Sequence, residues 1–567
     1  MIGGTLRSIE FIYRSPGVNR PLLIHEDHPY DNLAKKYYRD QINKVANATK
    51  EIITTILKDD QKAENRSKEV ILTPPRAEYR KYIVSGFIIL SVLIIGYFLA
   101  PKRAGLAANP KKSIAVLPFI NNSNDPEQGY FSDGLTDGIL NSLAHLRDLK
   151  IIARTSSLLF RDKDPREAGK ELKVQLVLGG SVQKQGDDFR ITVWLVDTES
   201  GIEIWSQQYD ETTENIFAVQ DRIANSIAEK IEVAFLGNLT QVKTKKPTNN
   251  KEAYEMYLKG RYFWNQGTVS GIDKGIDYFL EAISLDRRYA AAYAGLADCY
   301  TTLGYASIIA PEEAIVKARN SAAKALEIDS ALAEVHASVG FFTFYYDWDW
   351  TAAEKEFKTS IRLNPNNGLA YSWYSYYLTA MEKYNDAKSI LEKARDLDPL
   401  SFKIATDVGF ILYYSGDYDM AINELQASLE LNSTYGLTHL WLARAYQEKK
   451  LYDEAISEYR ETMNILPDWP VALAGIGNVY VEAGNITEAQ KILDTLSLLK
   501  QSQFVTAYGI ALVHAGMGDS DSTFKWLNKA YDERSNWLVW LKTDPRWESI
   551  RTDERYAELV RKVGLPE

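Results

Sequence analysis

YSWYSYYLTAMEKYNDAKSILEKARDLDP, residues Tyr371–Pro399, carries two clusters. Tyr371, Tyr374, Ser375 and Leu378 form the first, and Ala387, Leu391, Ala394 and Pro399 the second. Each has helical spacing, with a small residue set among large ones. The same order returns downstream as Val408, Gly409, Leu412, Ala421 and Leu425. It returns again as Leu442, Ala443, Tyr446, Ala455, Tyr459 and Pro467, then as Ile476, Gly477, Tyr480, Ala489 and Leu493. Upstream it is present with insertions, around Leu258, Gly260, Phe279 and Ala282, around Tyr293, Leu296, Tyr300, Ala318 and Ala325, and around Val339, Gly340, Ala353, Phe357 and Pro365. Small residues let paired helices approach closely, and large ones fill the gaps between them.

The period is near 34 residues, and the pattern resembles the tetratricopeptide (TPR) repeat. The resemblance implies an array of about 7–8 repeats over residues 253–522. Stacked helix pairs of this kind wind into a right-handed superhelix with a concave surface that binds proteins or peptides. On that inner face the variable positions include Tyr376, Arg444, Asn478 and Glu482, which are the expected protein-binding residues. Thr523–Pro566 (TFKWLNKAYDERSNWLVWLKTDPRWESIRTDERYAELVRKVGLP) resembles the terminal cap of bacterial arrays, so residues 523–567 are expected to form a helical C-terminal cap. Trp537, Trp540, Trp547, Ile550 and Leu559 would cover the last helix pair, whose outer face is otherwise exposed.

Ahead of the array, residues 112–237 alternate strand and helix signals. Ser113–Phe119 is an apolar run of strand length. Leu135, Ile139, Leu140, Leu143 and Leu146 recur at helical spacing. Val174–Asp210 reads as a meander of three strands with turns at Gly186 and at Ser200–Gly201, and Ile216–Phe235 as a closing helix. The strings KSIAVLPF, DPEQ, YFSDGLT, IARTSS, VLGGSV and IWS resemble a bacterial α/β domain of the TolB N-terminal-like, FlgO-like kind. Proteins with that domain commonly carry a transmembrane helix just before it, and a winged-helix, adenylate cyclase or TIR-like output domain before that.

The loop Asn121–Leu140 between strand and helix raises the question of chemistry. It has no Lys or Arg from Ser113 to Arg147, so it cannot cradle phosphate. Asp125, Glu127, Asp133 and Asp137 could hold a hard cation, but not at the EF-hand spacing. A structural corner accounts for the same residues. Ser132 or Asp133 would cap the helix, Asp137 would complement its dipole, and Tyr130 with Phe131 would staple its start. The corner could also present a surface for protein contact.

The first eighty residues read differently. Arg20–Asp60 suggests a strand at Pro21–His25 and an amphipathic helix bearing Ile42, Val45, Ile52, Ile53 and Ile56. Residues 1–70 thus resemble the last strand and helix of a TIR-like domain, with no catalytic residue carried over. His25–Asp31 (HEDHPYD) is either a metal-binding cluster or a polar loop. Tyr82–Ala100 is 19 residues without a charge, the length of a membrane-crossing helix. Six Lys/Arg precede it within 20 residues and four follow, which favours a cytoplasmic N-terminus.

These readings give a multidomain expectation. A single transmembrane helix at residues 82–100 is followed by a small α/β domain, then by an all-α superhelix with its cap. The protein would sit in the inner membrane with its C-terminal domains in the periplasm. Residues 82–567 carry a net charge of -14, which argues against nucleic acid as the main ligand and favours a basic or neutral protein partner. One cysteine, Cys299, excludes a disulfide framework. No cofactor, metal site or small-molecule substrate is expected. The function expected is a protein-interaction scaffold or extracytoplasmic sensor in bacterial signalling, not an enzyme. The alternative is a transducer with a TIR-like or cyclase-type N-terminal activity.

Overall fold

The computed structural model describes residues 12–15, 18–21, 112–123, 129–144, 146, 149–161, 163–212, 216–235, 248–467 and 469–566. The chain divides into two compact units, residues 1–107 and 108–567. In the first, β1 (Ile12–Ser15) and β2 (Val18–Pro21) pair antiparallel. The amphipathic helix, the histidine cluster His25–Asp31 and the apolar run Tyr82–Ala100 lie outside the described residues. The single-pass architecture is corrected. Among the described residues no helix is long and apolar enough to cross a membrane. The fold class described is therefore a small α/β domain joined to a mostly helical tetratricopeptide superhelix. The inner-membrane location with a periplasmic array is withdrawn with it. An uncharged run of the right length meets a compositional rule, but composition alone fixes neither conformation nor location.

The second unit begins with a mixed sheet. β3 (Lys112–Val116) runs parallel to β5 (Leu149–Ile151) on one side and to β6 (Leu176–Gln185) on the other. β6, β7 (Asp188–Asp197) and β8 (Glu203–Thr212) form the expected antiparallel meander, and the short β4 (Ile120–Asn121) pairs with the far part of β6. Gly186 and Gly201 take positive φ at the two turns, where L side chains are strained. Helix α1 (Gly129–Ala144) and helix α4 (Ile216–Phe235) cover one face. Helix α2 (Arg154–Leu158) and helix α3 (Pro165–Glu171) follow β5, and Ala168 of α3 packs on the opposite face. This two-sided cover explains the continuous apolar run of β3: Ile114 and Val116 face α1, and Ala115 faces α3, all fully buried.

Helix α1 starts at Gly129, so Ser132 and Asp133 lie inside it and are buried. They do not cap it. The Asp133 carboxylate instead accepts from Arg154 and Arg161, each at 2.8 Å, and Asp137 lies 3.2 Å from Arg154. The acids of the loop thus tie α1 to α2. Phe131 packs on Phe189 of β7 rather than stapling its own helix, with ring centroids 5.7 Å apart.

The array follows as eight helix pairs among the described residues. They are α5 (Lys251–Asn265) with α6 (Val269–Leu285), α7 (Ala290–Tyr305) with α8 (Pro311–Ile328), α9 (Ala333–Phe342) with α10 (Trp350–Leu363), and α11 (Gly368–Ala380) with α12 (Tyr384–Leu397). Then come α13 (Phe402–Tyr414) with α14 (Tyr418–Leu431), α15 (Gly436–Glu448) with α16 (Tyr452–Ile465), α17 (Pro470–Glu482) with α18 (Ile486–Leu499), and α19 (Ala507–Gly516) with α20 (Ser520–Asp532). Ala353, Ala387, Ala421, Ala455 and Ala489 recur every 34 residues and are all fully buried at the helix crossings. At the facing positions a Cβ on Gly409 would sit 2.4 Å from Leu425, and one on Gly340 would sit 2.9 Å from Phe357. The turn inside each pair repeats with the same period. Trp348, Glu382, Gly416, Lys450, Gly484 and Gly518 all take positive φ.

The α/β domain and the array pack against each other. Gly134 of α1 admits Leu258 of α5, whose Cδ1 lies 2.4 Å from where a Cβ would stand. The Gln220 amide donates to the Tyr254 hydroxyl at 2.8 Å. Farther along, the Asn366 side chain accepts from Ile151 N and donates to Leu149 O, both at 3.2 Å, in place of a further strand on the β5 edge. Asp398, after α12, accepts from the backbone and the hydroxyl of Ser156, and Ala153 N donates to Leu397 O at 2.7 Å. The IARTSS segment is therefore a docking strip for the array.

Two outcomes follow. Gly484→Ala should destabilise the chain by about 1 kcal/mol through backbone strain alone, because nothing lies within 4 Å of the added Cβ. Lys450→Gly at the equivalent turn should stabilise it slightly, and denaturant midpoints read both. Asp398→Ala should cost about 1–3 kcal/mol by stranding the Ser156 donors. It should speed amide exchange in residues 149–158 while the distal helix pairs keep their protection.

Candidate functional site at the inner face of the array

The 34-residue period lines up one position of successive inner helices. Phe342, Tyr376, Phe410, Arg444, Asn478 and Leu512 form one row, and Tyr414, Glu448 and Glu482 form a second, nearer the rim. All six of the first row are buried, with Tyr376 8% exposed, Arg444 3% and Asn478 2%. Of the four inner-face residues expected from the sequence, Glu482 alone is exposed.

Phe410 and Arg444 of that row are covered by the chain's own C-terminus. After α20 come two 3-10 turns, Asn536–Trp540 and Pro545–Ile550, and helix α21 (Glu554–Val563). Trp547 meets the last pair as expected, its Nε1 donating to the Tyr508 hydroxyl at 2.6 Å. Trp540 goes elsewhere. Its ring stacks on Tyr414 at 4.7 Å and meets Phe410 edge-on at 5.0 Å and Phe344 at 6.0 Å. Trp537 lies over Arg444, whose guanidinium sits between it (4.7 Å) and Trp441 (4.5 Å). Asn536 donates to Tyr305 O at 2.9 Å, and Lys542 pairs with Glu382 at 2.6 Å. The segment thus spans inner helices from the second pair to the eighth. The expectation that these tryptophans cover the last pair holds for Trp547 and is too narrow for Trp537 and Trp540.

Several polar groups under this cover are paired, whereas Arg444 Nε and Nη1 and the Tyr414 hydroxyl have no hydrogen-bond partner among the described residues. Tyr376 donates its hydroxyl to Asp407, which also accepts from Ser372. Asn478 accepts from Gln447 at 2.5 Å and donates to Leu512 O at 3.4 Å, and Gln447 also donates to Glu482 at 2.6 Å. Asp544 accepts from the Tyr508 hydroxyl at 3.1 Å and pairs with Arg546 at 2.6 Å. Burial pushes the Asp544 carboxyl up, and the Arg546 guanidinium more than offsets it, so its pKa lies below the ordinary value. Asp407 has no such cation in contact. Burial pushes it up to about 7, against the hydrogen bonds from Ser372 and Tyr376. Glu448, at the rim, is pushed up to about 7 by burial and by the charge of Asp544.

Among the described residues no group of three or more His, Cys, Asp or Glu is placed to hold a metal ion. Cys299 is buried in α7, where burial raises its thiol pKa and disfavours the thiolate. Asp125 and Glu127 lie outside the described residues. Sequence reasoning missed Asp407, which stands beside the packing residue Val408, and it missed the reach of Trp537 and Trp540. A signal existed: Phe341, Tyr345, Tyr376, Phe410, Tyr414 and Trp441 make the inner face far more aromatic than an open groove tolerates.

Asp407 sets a pH dependence. Its folded pKa is raised, so the folded chain holds a proton that the unfolded chain has shed. The stabilisation is full below the ordinary carboxylate value and is lost as pH rises towards about 7. One such proton gives a slope of about 1.4 kcal/mol per pH unit. Urea midpoints taken from pH 5 to pH 7 should therefore show a falling contribution that Asp407→Asn removes; an unchanged slope in that variant would refute the assignment.

Comparison with known proteins agrees with the helical architecture. Tetratricopeptide repeat models match residues 411–463 and 448–507. Adenylate cyclase 3 of Rhizobium meliloti is 34% identical over 205 residues, 35% of this chain and 35% of that protein. The chain thus matches about a third of the length of that relative. The transcriptional regulator HilA of Salmonella typhimurium is 22% identical over 77% of this chain and 78% of its own. Among solved structures, the human IFIT1 dimer is similar over 56% of this chain and 79% of its own, at 13% identity and a TM-score of 0.36. Residues 411–507 carry tetratricopeptide repeats, an architecture that binds protein or peptide partners, and the inner face described above belongs to that array.

Proposed function

We propose that the chain is a protein-interaction scaffold in bacterial signalling. The observation that carries this reading is the stack of eight helix pairs with repeated small-residue crossings, the architecture of superhelices that bind proteins or peptides. In this reading residues 112–237 are a TolB N-terminal-like domain fixed to the array through Asp398 and Asn366, residues 253–522 form the array and residues 523–567 its cap. Two relatives are named for outputs, a cyclase and a transcriptional regulator. Their names favour a sensing or scaffolding role in which the array serves an output carried elsewhere. A TIR-like transducer remains the alternative reading of residues 1–70.

The inner-face residues keep a role in this proposal. The exposed Glu482 gives the open rim an acid, which suits a basic partner. Tyr376, Arg444 and Asn478 shape the face from beneath. The full chain used as bait in lysate of its own host should retain a partner, and Glu482→Lys should reduce that partner at least fivefold without changing helical content. Equal recovery with both baits would place the contact elsewhere, and no partner above an unfolded-chain control would overturn the scaffold reading.

A further inference from the structure

The segment Ser535–Trp547 behaves as a bound peptide in every respect but its tether. A cap needs to cover only α19 and α20. This segment instead reaches back to Tyr305 of α7, to Phe344 just after α9 and to Phe410 of α13. Its own order is local: Ser535 Oγ accepts from Trp537 N and Asp544 from Arg546 N, as the caps of two short turns. Tyr556 of α21 and Arg551 donate to Leu541 O and Lys542 O behind them, and the contacts on their other side come from the array. Two aromatic slots take Trp537 and Trp540, one floored by Arg444 and Tyr508, the other by Tyr414. A polar site at Tyr508 receives Asp544 and Trp547. Glu382 receives Lys542 at the opposite rim. The segment is joined to α20 through Arg534, which is exposed and has a φ of 52°.

We propose that the inner face is a binding surface for an aromatic peptide of the pattern Trp-x-x-Trp-x-x-x-Asp-x-Arg-Trp, and that this chain holds the surface shut with its own copy, Trp537–Trp547. The proposal rests on the reading of the array as a protein-binding scaffold and names the chemistry of the partner. A partner carrying this pattern competes with the segment for Arg444, Tyr414 and Tyr508. The three buried residues Tyr376, Arg444 and Asn478 then contact or support the partner only after the segment has left. The cation and the stacked rings select tryptophan over aliphatic residues, because the guanidinium of Arg444 is attracted to a ring face.

The test uses the full chain with a site-specific protease sequence inserted between Arg534 and Ser535. The uncut chain should have the parent's helical content and take up no dye-labelled synthetic peptide spanning Ser535–Glu567. After cutting, the labelled peptide should exchange into the array, read by fluorescence anisotropy. A peptide bearing Trp540→Ala should bind at least tenfold more weakly. As a second arm without any insertion, the full chain bearing Trp540→Ala should bind the labelled wild-type peptide where the parent binds none. Loss of helical structure on cutting, or permanent retention of the cut fragment without exchange, would overturn the proposal by making the segment part of an indivisible core. Absence of peptide binding in both arms would overturn it as well. A chain that captures a host partner through Glu482 yet refuses exchange contradicts this inference alone, whereas exchange without any captured partner contradicts only the broader scaffold reading.

Discussion

Trp540 stacked on Tyr414, with Trp537 over Arg444, is the contact that closes the inner face of the array. The 34-residue period aligns Phe342, Tyr376, Phe410 and Arg444 along one inner line, and neighbouring aromatics widen it. Left open, that line would be a long apolar strip in water with a cation in its middle. The C-terminal segment removes the strip from water and gives the Arg444 guanidinium two ring faces. Its tryptophans thereby join residues of α7, α9, α13, α15 and α19 in a single buried cluster. An open solenoid holds together through neighbour contacts alone. Here contacts far apart in sequence close the array, such as Trp469 Nε1 donating to Ala306 O at 2.8 Å.

The α/β domain adds a second set of distant contacts. Asn366 completes the edge of β5, and Asp398 takes up two donors of Ser156, so the fourth helix pair and the IARTSS segment hold each other. Asp133 draws Arg154 and Arg161 onto α1 beside that segment. The acidic loop that looked like a reaction site is thus part of the joint between the sheet and the repeats.

Much of this was legible in the sequence, because some features are fixed locally. The period was readable since each helix crossing needs a residue as small as Ala353 or Gly409, and such a demand repeats with the geometry. The meander was readable because Gly186 and Gly201 mark turns that need positive φ. Asp133 was misread because a helix start is judged from neighbouring residues, whereas this carboxylate is placed by arginines 21 and 28 residues away. Trp537 and Trp540 were assigned to the last pair because sequence order suggests the nearest face, and curvature of the array brings a farther one closer. The apolar run Tyr82–Ala100 was clear as composition, but the described helices include none able to cross a membrane. Arg444 was found by position, yet its burial depends on Trp537, 93 positions downstream.

Hydrogen–deuterium exchange of the full chain tests the central claim most directly, by comparing the amides of Ser535–Trp547 with those of α13. If the segment fills the inner face, Leu538 and Leu541, whose amides donate within the 3-10 turn and which are fully buried, will exchange on the slow timescale of Phe410. Exchange of those amides within seconds, while α13 stays protected, would show an inner face open to solvent and would contradict the account.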